Sequence, residues 1–353
     1  MVRLTPQCRV TLNRVIIYLT DRFMLLNCGM TKIPKTFLEA VRYFSDADAC
    51  LHFLIALRWP RGVTCPRCGS KKVTFLEKAK LWKCKNAHPK QKFSVKVGTI
   101  FEDSPIGLEK WFPAMWLAAN CKNGISSYEL HRCLGVTQKT AWFMLQRIRL
   151  AMQKGGGLFK GKVEVDETFI GGRARKMNAK QRARRKTQGS GQWNLEPVQG
   201  ILERTTEGQP SQVCLFHVKR ANRKQLDPNV REHVEKGAEI FTDALKSYNE
   251  LSDEYQHKVI DHAECYAKGR VHTNGLENFW SLLKRGLGGT YVSVEPFQLF
   301  RYLDEQAFRF NERKDDDAGR FAKALRGIFG KGLRYAKLIG GDGIHDPSTW
   351  QTA

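Results

Sequence analysis

The fold is decided by the stretch Lys162-Val163-Glu164-Val165-Asp166-Glu167-Thr168-Phe169-Ile170, where apolar and polar side chains alternate. Alternation with a period of two is typical of a β-strand. The periodicity of the following residues predicts strands at 198–202, 212–218, 239–242 and 258–260 and helices at 223–237, 244–252 and 274–287. Three strands followed by alternating helices and strands predict an α/β domain with a mixed sheet.

The composition of the chain is strongly basic. Its 353 residues contain 59 Lys and Arg against 35 Asp and Glu, a formal net charge of +24. Basic proteins gain affinity for duplex DNA by releasing counterions from the phosphates. A polyanion is therefore the natural partner, although charge alone does not separate DNA from RNA or from an anionic membrane surface.

The beginning of the chain and its cysteines indicate the compartment. The apolar stretch at residues 15–26 is interrupted by Asp21 and Arg22, and it is shorter than the roughly 20 apolar residues that span a bilayer. Residues 1–30 carry no motif, so we expect an over-extended start with Met30 as the true first residue. Ten cysteines, three of them clustered, do not resemble a disulfide framework. We expect a cytoplasmic protein with no membrane partner.

A cluster of cysteines predicts a metal site near the start of the chain. Cys65 and Cys68 are separated by two residues, and Cys84 and His88 by three. Three thiolates and one imidazole suit tetrahedral Zn²⁺ in a closed, structural site. The alternative is that Cys84 is a buried thiol, His88 is a surface residue and no metal binds.

Two consecutive helices are predicted between residues 124 and 149. The first begins at Ser126 or Ser127 and ends at Gly135, and the second begins at Thr137. The pattern fits a helix-turn-helix whose second helix exposes polar residues to DNA. The residues expected on that exposed face are Gln138, Lys139, Gln146, Arg147 and Arg149. An ordinary helical hairpin with a basic solvated face is the alternative.

Three carboxylates form a candidate catalytic set. Asp166 lies in the first strand of the α/β domain, Asp243 follows a short strand, and Glu277 lies in a helix. Phosphoryl transfer is commonly catalysed by two divalent cations about 3.5–4 Å apart, and Mg²⁺ prefers carboxylate oxygens. Taken singly, each acid could instead be a solvated strand residue, a helix cap or a surface residue.

The helix that carries Glu277 favours a functional role for this acid. Its predicted apolar face consists of Leu276, Phe279, Leu283 and Leu287. The adjacent polar stripe contains Asn274, Glu277, Ser281 and Lys284. Lys284 is seven residues after Glu277, about two turns along the helix, where it can hold a DNA phosphate near the metal ions.

A basic insert follows the first strand. Residues 173–186 contain eight basic residues and no acid. The residues that we expect to contact phosphates are Arg173, Arg175, Arg184 and Arg185. A solvated loop is the alternative, but the position of the insert favours an arm that becomes ordered on DNA.

These motifs together resemble the insertion-sequence transposases of the fifteen-ninety-five group, which combine a zinc ribbon with a DDE domain. The segments that carry the resemblance are Leu57–Gly69, Phe93–Phe101, Val163–Gly172, His272–Gly286 and Arg301–Glu305. The resemblance implies an RNase H-like fold and strand cleavage and transfer that depend on Mg²⁺ or Mn²⁺. It further implies terminal inverted repeats and target DNA as partners, a homo-oligomer on DNA, and a bacterial, nucleoid-associated protein.

The resemblance also assigns roles by position. Asp166, Asp243 and Glu277 correspond to the catalytic acids that bind the metal, and Lys284 corresponds to the trailing basic residue. Some relatives have asparagine as the third residue, whereas this chain has Glu277, with Asn274 nearby as a possible helper. The zinc ribbon departs from the family pattern because His88 stands where a fourth cysteine is usual.

We expect five regions along the chain. They are the over-extended start (1–30), short helices and the zinc ribbon (31–103), the helix-turn-helix (104–154), the RNase H-like catalytic domain (155–313) and a basic C-terminal tail (314–353). Two other functions fit the same motifs. A nuclease or resolvase would cut DNA without joining it, and a regulator would bind DNA without catalysis.

Overall fold

The computed structural model describes residues 33–153, 157–171, 195–243, 248, 253–260 and 272–339. Its helices are α1 (Phe37–Tyr43), α2 (Ala47–Arg58), α3 (Leu108–Asn120), α4 (Ser127–Leu134), α5 (Gln138–Met152), α6 (Arg223–His233), α7 (Asn274–Gly286), α8 (Leu299–Asn311), α9 (Asp317–Arg326) and α10 (Tyr335–Leu338). Its strands are β1 (Val73–Leu76), β2 (Leu81–Cys84), β3 (Lys92–Phe93), β4 (Lys162–Gly171), β5 (Leu195–Glu203), β6 (Gln212–His217), β7 (Glu239–Asp243) and β8 (Gln256–Ile260). The expected over-extended start at 1–30 lies outside the described residues, as does the predicted helix at 244–252 apart from Tyr248.

The first half of the described chain forms one apolar core around α3. Nine of its thirteen residues are buried, including Trp111 and Trp116, because a helix that is apolar on every side must pack in the interior. The small antiparallel sheet β1-β2-β3 packs against this core through Trp82 and Phe93, whose stacked rings lie 6.0 Å apart. No helix among the described residues is long and apolar enough to cross a membrane.

Helices α4 and α5 are joined by a tight turn. Ser126 and Glu129 form a reciprocal capping box at the start of α4, at distances of 2.8 and 3.2 Å. Gly135 ends α4 in the left-handed region with φ of 60°, which glycine adopts without a steric penalty. Thr137 then caps α5 by accepting the backbone N–H of Thr140. The two predicted helices therefore form at the predicted positions.

Part of the expected C-terminal tail is a folded helix. Asp316 caps α9, and the apolar residues Phe321 and Leu325 lie one turn apart on its buried face. The ring of Phe321 lies 5.1 Å from that of Trp116 and 5.8 Å from that of Phe44. Residues 317–326 thus complete the core of the first half of the chain, although they follow the sheet in sequence.

The second half contains the mixed sheet that the sequence predicts. Its strand order is β6-β5-β4-β7-β8. The strands β4, β5 and β6 pair antiparallel, whereas β7 pairs parallel with β4, and β8 pairs parallel with β7. Alternate side chains of each strand point to opposite faces. Helix α6 covers one face, and α7 and α8 cover the other.

We predict that Phe321→Ala destabilises the first half of the protein. The substitution removes a fully buried ring from the core around α3, and such changes cost about 3–5 kcal/mol. Chemical denaturation followed by the fluorescence of the core tryptophans measures the loss. Ile339→Ala, at a half-exposed position, is the control and should change stability by less than about 0.5 kcal/mol. Equal effects of the two substitutions would contradict the packing of α9 in this core.

Candidate functional site

The four predicted zinc ligands come together at one end of the small sheet. The candidate ligand atoms of Cys65, Cys68, Cys84 and His88 all lie within 4.8 Å of one another. The Cys65 Sγ to His88 Nε2 distance is 3.4 Å, and the Sγ atoms of Cys68 and Cys84 are 3.6 Å apart. Separations of this size suit four ligands around one ion with Zn–S bonds of about 2.3 Å.

The imidazole of His88 is oriented for metal binding. Its Nδ1 lies 2.8 Å from the carbonyl oxygen of Pro89. Since a carbonyl only accepts hydrogen bonds, Nδ1 carries the proton and Nε2 directs its lone pair toward the thiols. Burial opposes ionisation of Cys65, but the backbone N–H groups of Arg67 and Cys68 lower the pKa of its thiol to about 7. The donor set of this ribbon therefore suits a structural zinc ion with His88 as the fourth ligand.

A second cluster of ligands lies in the large sheet. Carboxylate oxygens of Asp166, Glu167 and Asp243 all lie within 4.8 Å of one another. The last register pair between β4 and β7 joins Glu164 to Phe241. Asp166 and Asp243 follow two residues later on the two parallel strands, so they occupy matching positions on the same face of the sheet.

Asp166 is held by two neutral donors. Its Oδ1 accepts the backbone N–H of Glu167 at 2.8 Å, and its Oδ2 accepts the indole N–H of Trp280, in α7, at 2.9 Å. Burial is the largest influence on this carboxyl, and together with the charges of Asp243 and Glu277 it raises the pKa to about 6, against the opposing effect of the two hydrogen bonds. The carboxyl is thus fixed in direction while its negative charge is disfavoured.

Glu167 is a member of the cluster that the sequence analysis did not single out. Burial, followed by the charges of Asp166 and Asp243, raises its pKa to about 9. Its buried Oε1 has no hydrogen-bond partner among the residues that the structure describes. A signal was present in the sequence, because the period of two places Glu167 with Val163 and Val165 on the face that packs against the core. An acid at a core-facing position is a candidate for a functional or a charge-paired structural role.

Glu277 lies at the rim of this cluster. Its charge contributes to the raised pKa of Asp166, but its oxygens are outside the group that lies within 4.8 Å. The exposed stripe of α7 carries Glu277, Asn274 and Lys284, as predicted. The predicted apolar face is also confirmed, since Leu276, Phe279, Leu283 and Leu287 are all buried.

Comparison with known proteins identifies the family. Residues 158–311 match the ISXO2-like transposase domain, and residues 45–87 match the transposase zinc-ribbon domain. A transposase-like protein of Haemophilus influenzae is 36% identical over 88 residues, which cover 24% of this chain and 70% of that protein. The chain belongs to the ISXO2-like transposase family.

A more distant relative extends over most of the chain. A protein of the transposable element ISH50 of Halobacterium salinarum is 25% identical over 274 residues, which cover 74% of this chain and 90% of that protein. The matches confirm the resemblance to insertion-sequence transposases of the fifteen-ninety-five group. The ribbon match ends at residue 87, one position before His88.

Of the two residues at the start of α5 that were expected on an exposed face, only Lys139 is exposed. Lys139 is exposed, with its Nζ 4.7 Å from the ring of Tyr335. Gln138 is half-buried and donates to the Ser127 hydroxyl of α4 at 2.8 Å. Gln138 thus lies at the junction of the two helices, whereas Lys139 lies beside Tyr335 of α10.

The expected exposure of Gln146, Arg147 and Arg149 is wrong. All three are buried. Arg147 donates to the backbone carbonyls of Ile100, Glu102 and Leu333. Its guanidinium therefore ties α5 to two distant segments instead of facing solvent.

Arg149 pairs with Glu305 of α8 across the two halves of the transposase. Its Nε lies 2.6 Å from Glu305 Oε2, and both side chains are 2% exposed. Although burial opposes ionisation of Glu305, the charges of Arg309 and Arg149 lower its pKa to about 2. A guanidinium that is buried and paired in this way is unavailable to DNA, and removing either partner would leave the other charge buried without compensation. The other expected DNA contacts, at Arg173, Arg175, Arg184 and Arg185, lie outside the described residues.

We predict that the purified transposase carries one zinc ion per chain. The ligand set contains three thiolates and His88, so His88→Ala should weaken zinc retention without removing the thiolate ligands. Competition with a chromogenic chelator, followed by metal analysis, measures the retention. His52→Ala, an exposed histidine of α2, is the matched control. Equal zinc loss from both variants would exclude His88 as a ligand.

Proposed function

We propose that the protein is a DDE-type DNA transposase. It binds the terminal inverted repeats of an insertion sequence, cleaves the ends and transfers a 3′ hydroxyl to target DNA. The observation that carries this proposal is the meeting of Asp166 and Asp243 on neighbouring parallel strands of a transposase-family domain. Because the substrate is DNA, we expect the protein to act at the nucleoid in the bacterial cytoplasm.

The strand order supports an RNase H-like catalytic domain. Three antiparallel strands, β4, β5 and β6, are followed by β7 and β8, which run parallel to β4 on its other side. The first strand in sequence is therefore central, and it carries the first aspartate. The second aspartate is the last residue of β7, the parallel neighbour of β4. Ligand sites commonly lie at the carboxyl ends of parallel strands.

The carboxylates fit a divalent cation. Asp166 and Asp243 would hold Mg²⁺ or Mn²⁺, with Glu277 approaching from α7. Burying several carboxylates together is costly unless a cation or protons balance them. The buried Oε1 of Glu167, which has no hydrogen-bond partner within the described part of the chain, adds a further candidate oxygen ligand at the same place. When bound, the metal ions would activate the attacking oxygen and stabilise the leaving oxygen of an in-line displacement.

The side chains around the carboxylates would orient the metal ligands and the DNA. Trp280 and the backbone of Glu167 fix the direction of the Asp166 oxygens. Lys284 lies on the exposed stripe of α7, where its ammonium would bind a DNA phosphate. Asn274, at the start of the same stripe, would orient the DNA end through its neutral amide.

Helices α4 and α5 are the proposed helix-turn-helix. The N-terminal turn of α5 is the part of such a motif that reaches base edges in the major groove. Lys139 and Gln138 lie in that turn and have side chains that bind phosphates and bases. The arginines of residues 173–186 would add phosphate contacts, and two protein copies would hold the two ends of the element.

We predict that Glu277→Gln abolishes DNA cleavage and strand transfer. The amide keeps the shape of the side chain but removes the negative charge that would hold a second cation, and losses of about 10²-fold or more follow from removing one such group. Asn274→Ala should cost less because a neutral amide does not anchor a metal ion. Mg²⁺-dependent nicking and joining of a labelled terminal-repeat duplex measures both steps.

The controls separate this proposal from its alternatives. Glu207→Gln, an exposed acid between β5 and β6, should leave activity unchanged. Cleavage without joining by the wild type would identify a nuclease or resolvase. Binding without Mg²⁺-dependent nicking would identify a regulator. Near-normal activity of Glu277→Gln with loss in Glu167→Gln would move the third catalytic acid from α7 to β4.

We predict that replacing Gln138 and Lys139 by alanine reduces the preference of the whole protein for its terminal repeat. Losing a base contact costs about 1–3 kcal/mol of discrimination, whereas losing a phosphate contact weakens binding to every duplex alike. Competition between the repeat and random duplex at fixed salt measures the difference. Lys236→Ala, at an exposed lysine that precedes β7, is the control. Unchanged preference in the double variant would exclude this turn as the reading element.

A further inference from the structure

Two carboxylates on one face of β4 accept hydrogen bonds from helix α7. Glu164 accepts the backbone N–H of Leu276 at 3.0 Å, and Asp166 accepts the indole N–H of Trp280 at 2.9 Å. Glu164 is 1% exposed and Trp280 is 5% exposed, so both contacts are made away from water. The proposed chemistry uses the negative charge of Asp166, and it assigns no task to Glu164.

The spacing of the two acceptors along β4 matches the spacing of the two donors along α7. Glu164 and Asp166 are two residues apart, which is about 6.7 Å along a strand. Leu276 and Trp280 are four residues apart, which is about 6 Å along a helix. A shift of α7 by one residue would translate it by about 1.5 Å and rotate it by about 100°, and both contacts would break. The pair therefore selects one register of α7 on the sheet.

Glu164 also takes the place of a missing helix cap. Thr273 precedes α7 but makes no capping hydrogen bond through its side chain. The N–H of Leu276 belongs to the first turn, whose donors have no acceptor within the helix. The carboxylate of Glu164 supplies that acceptor, and negative charge is favourable at this end of a helix. Its other oxygen accepts from Arg204 Nε at 2.7 Å, which balances the buried charge.

Two glycines make room for these contacts. A Cβ at Gly275 would lie 2.7 Å from Glu164 Oε2. Gly200 pairs with Asp166 across β4 and β5, and a Cβ there would lie 2.7 Å from the Trp280 ring. Both distances are too short for a real side chain. The close approach of α7 to β4 thus depends on the absence of side chains at these two positions.

We propose that Glu164 and Trp280 are positioning residues that fix the register of α7 on β4. Glu277 lies between Leu276 and Trp280 in sequence, inside the turn that the two contacts bracket. The register therefore sets the distance from Glu277 to the aspartates, while Trp280 also sets the direction of Asp166. The consequence for catalysis rests on the proposed function, but the register itself does not.

The catalytic test uses Trp280→Phe, which keeps an aromatic ring and removes the indole donor. We expect kcat for cleavage of a terminal-repeat duplex to fall by about 10–100-fold, because a displacement of about 1 Å can cost 10²-fold. The KM for DNA should stay within about twofold, since DNA contacts are unchanged. Tyr291→Phe is the matched control, because it also removes one donor to a buried carboxylate, that of Glu305. It should lower stability without lowering kcat.

The structural test does not depend on activity. Amide hydrogen exchange of Leu276, measured by NMR on the metal-free protein, should be slow in the wild type and at least about tenfold faster in Glu164→Ala. Glu164→Gln retains an acceptor oxygen and should restore much of the protection. If Glu164→Ala does not fold, Gly275→Ala provides the same readout, because its added Cβ would displace the Glu164 carboxylate.

The outcomes separate the two proposals. Wild-type kcat in Trp280→Phe, an equal loss in Tyr291→Phe, or unchanged exchange of Leu276 would each overturn the positioning role. If the wild type does not cleave DNA while Leu276 exchanges as expected, the proposed function is wrong and the register contacts stand. Loss of kcat at constant KM together with faster exchange supports both.

Discussion

The parallel pairing of β4 and β7 is the constraint on which the candidate site depends. Each strand alone contributes one aspartate, and neither would be unusual on a solvated strand. The parallel register brings Asp166 and Asp243 to matching positions on adjacent strands, and helices pack on both faces of the sheet. Burial, followed by the charges of Asp243 and Glu277, raises the pKa of Asp166. The sheet that forms the core therefore also holds carboxylates that are partly removed from solvent.

The carboxylates of Glu164, Glu305 and Asp166 accept hydrogen bonds from two kinds of donor. Glu164 and Glu305 each accept from an arginine, which balances their charge inside the fold. Asp166 instead accepts from a backbone N–H and an indole N–H. A neutral donor fixes the direction of a carboxylate without cancelling its charge. The structural acids are thus internally balanced, while Asp166 keeps a charge that a cation can use.

Local patterns in the sequence predicted much of this molecule, and long-range contacts account for the rest. Period-two alternation located β4, and ligand spacing located the zinc cluster, because both depend on neighbouring residues. The exposure of Arg147 and Arg149 was predicted wrongly because their partners, the Leu333 carbonyl and Glu305, are more than 150 residues away. The role of Glu164 was invisible for the same reason, since it caps a helix 112 residues further along the chain.

The packing of α9 makes the large sheet an insertion between two segments of the first core. The chain leaves the first core after α5, forms the sheet, and returns to that core at Phe321 and Leu325. The chain therefore connects the sheet to the first core both before β4 and after α8. The ion pair of Arg149 and Glu305 joins the two parts between these connections. A copy of the gene interrupted after codon 313 would still encode every proposed catalytic side chain. The truncated protein would lack α9, and the core of its amino-terminal half would be destabilised.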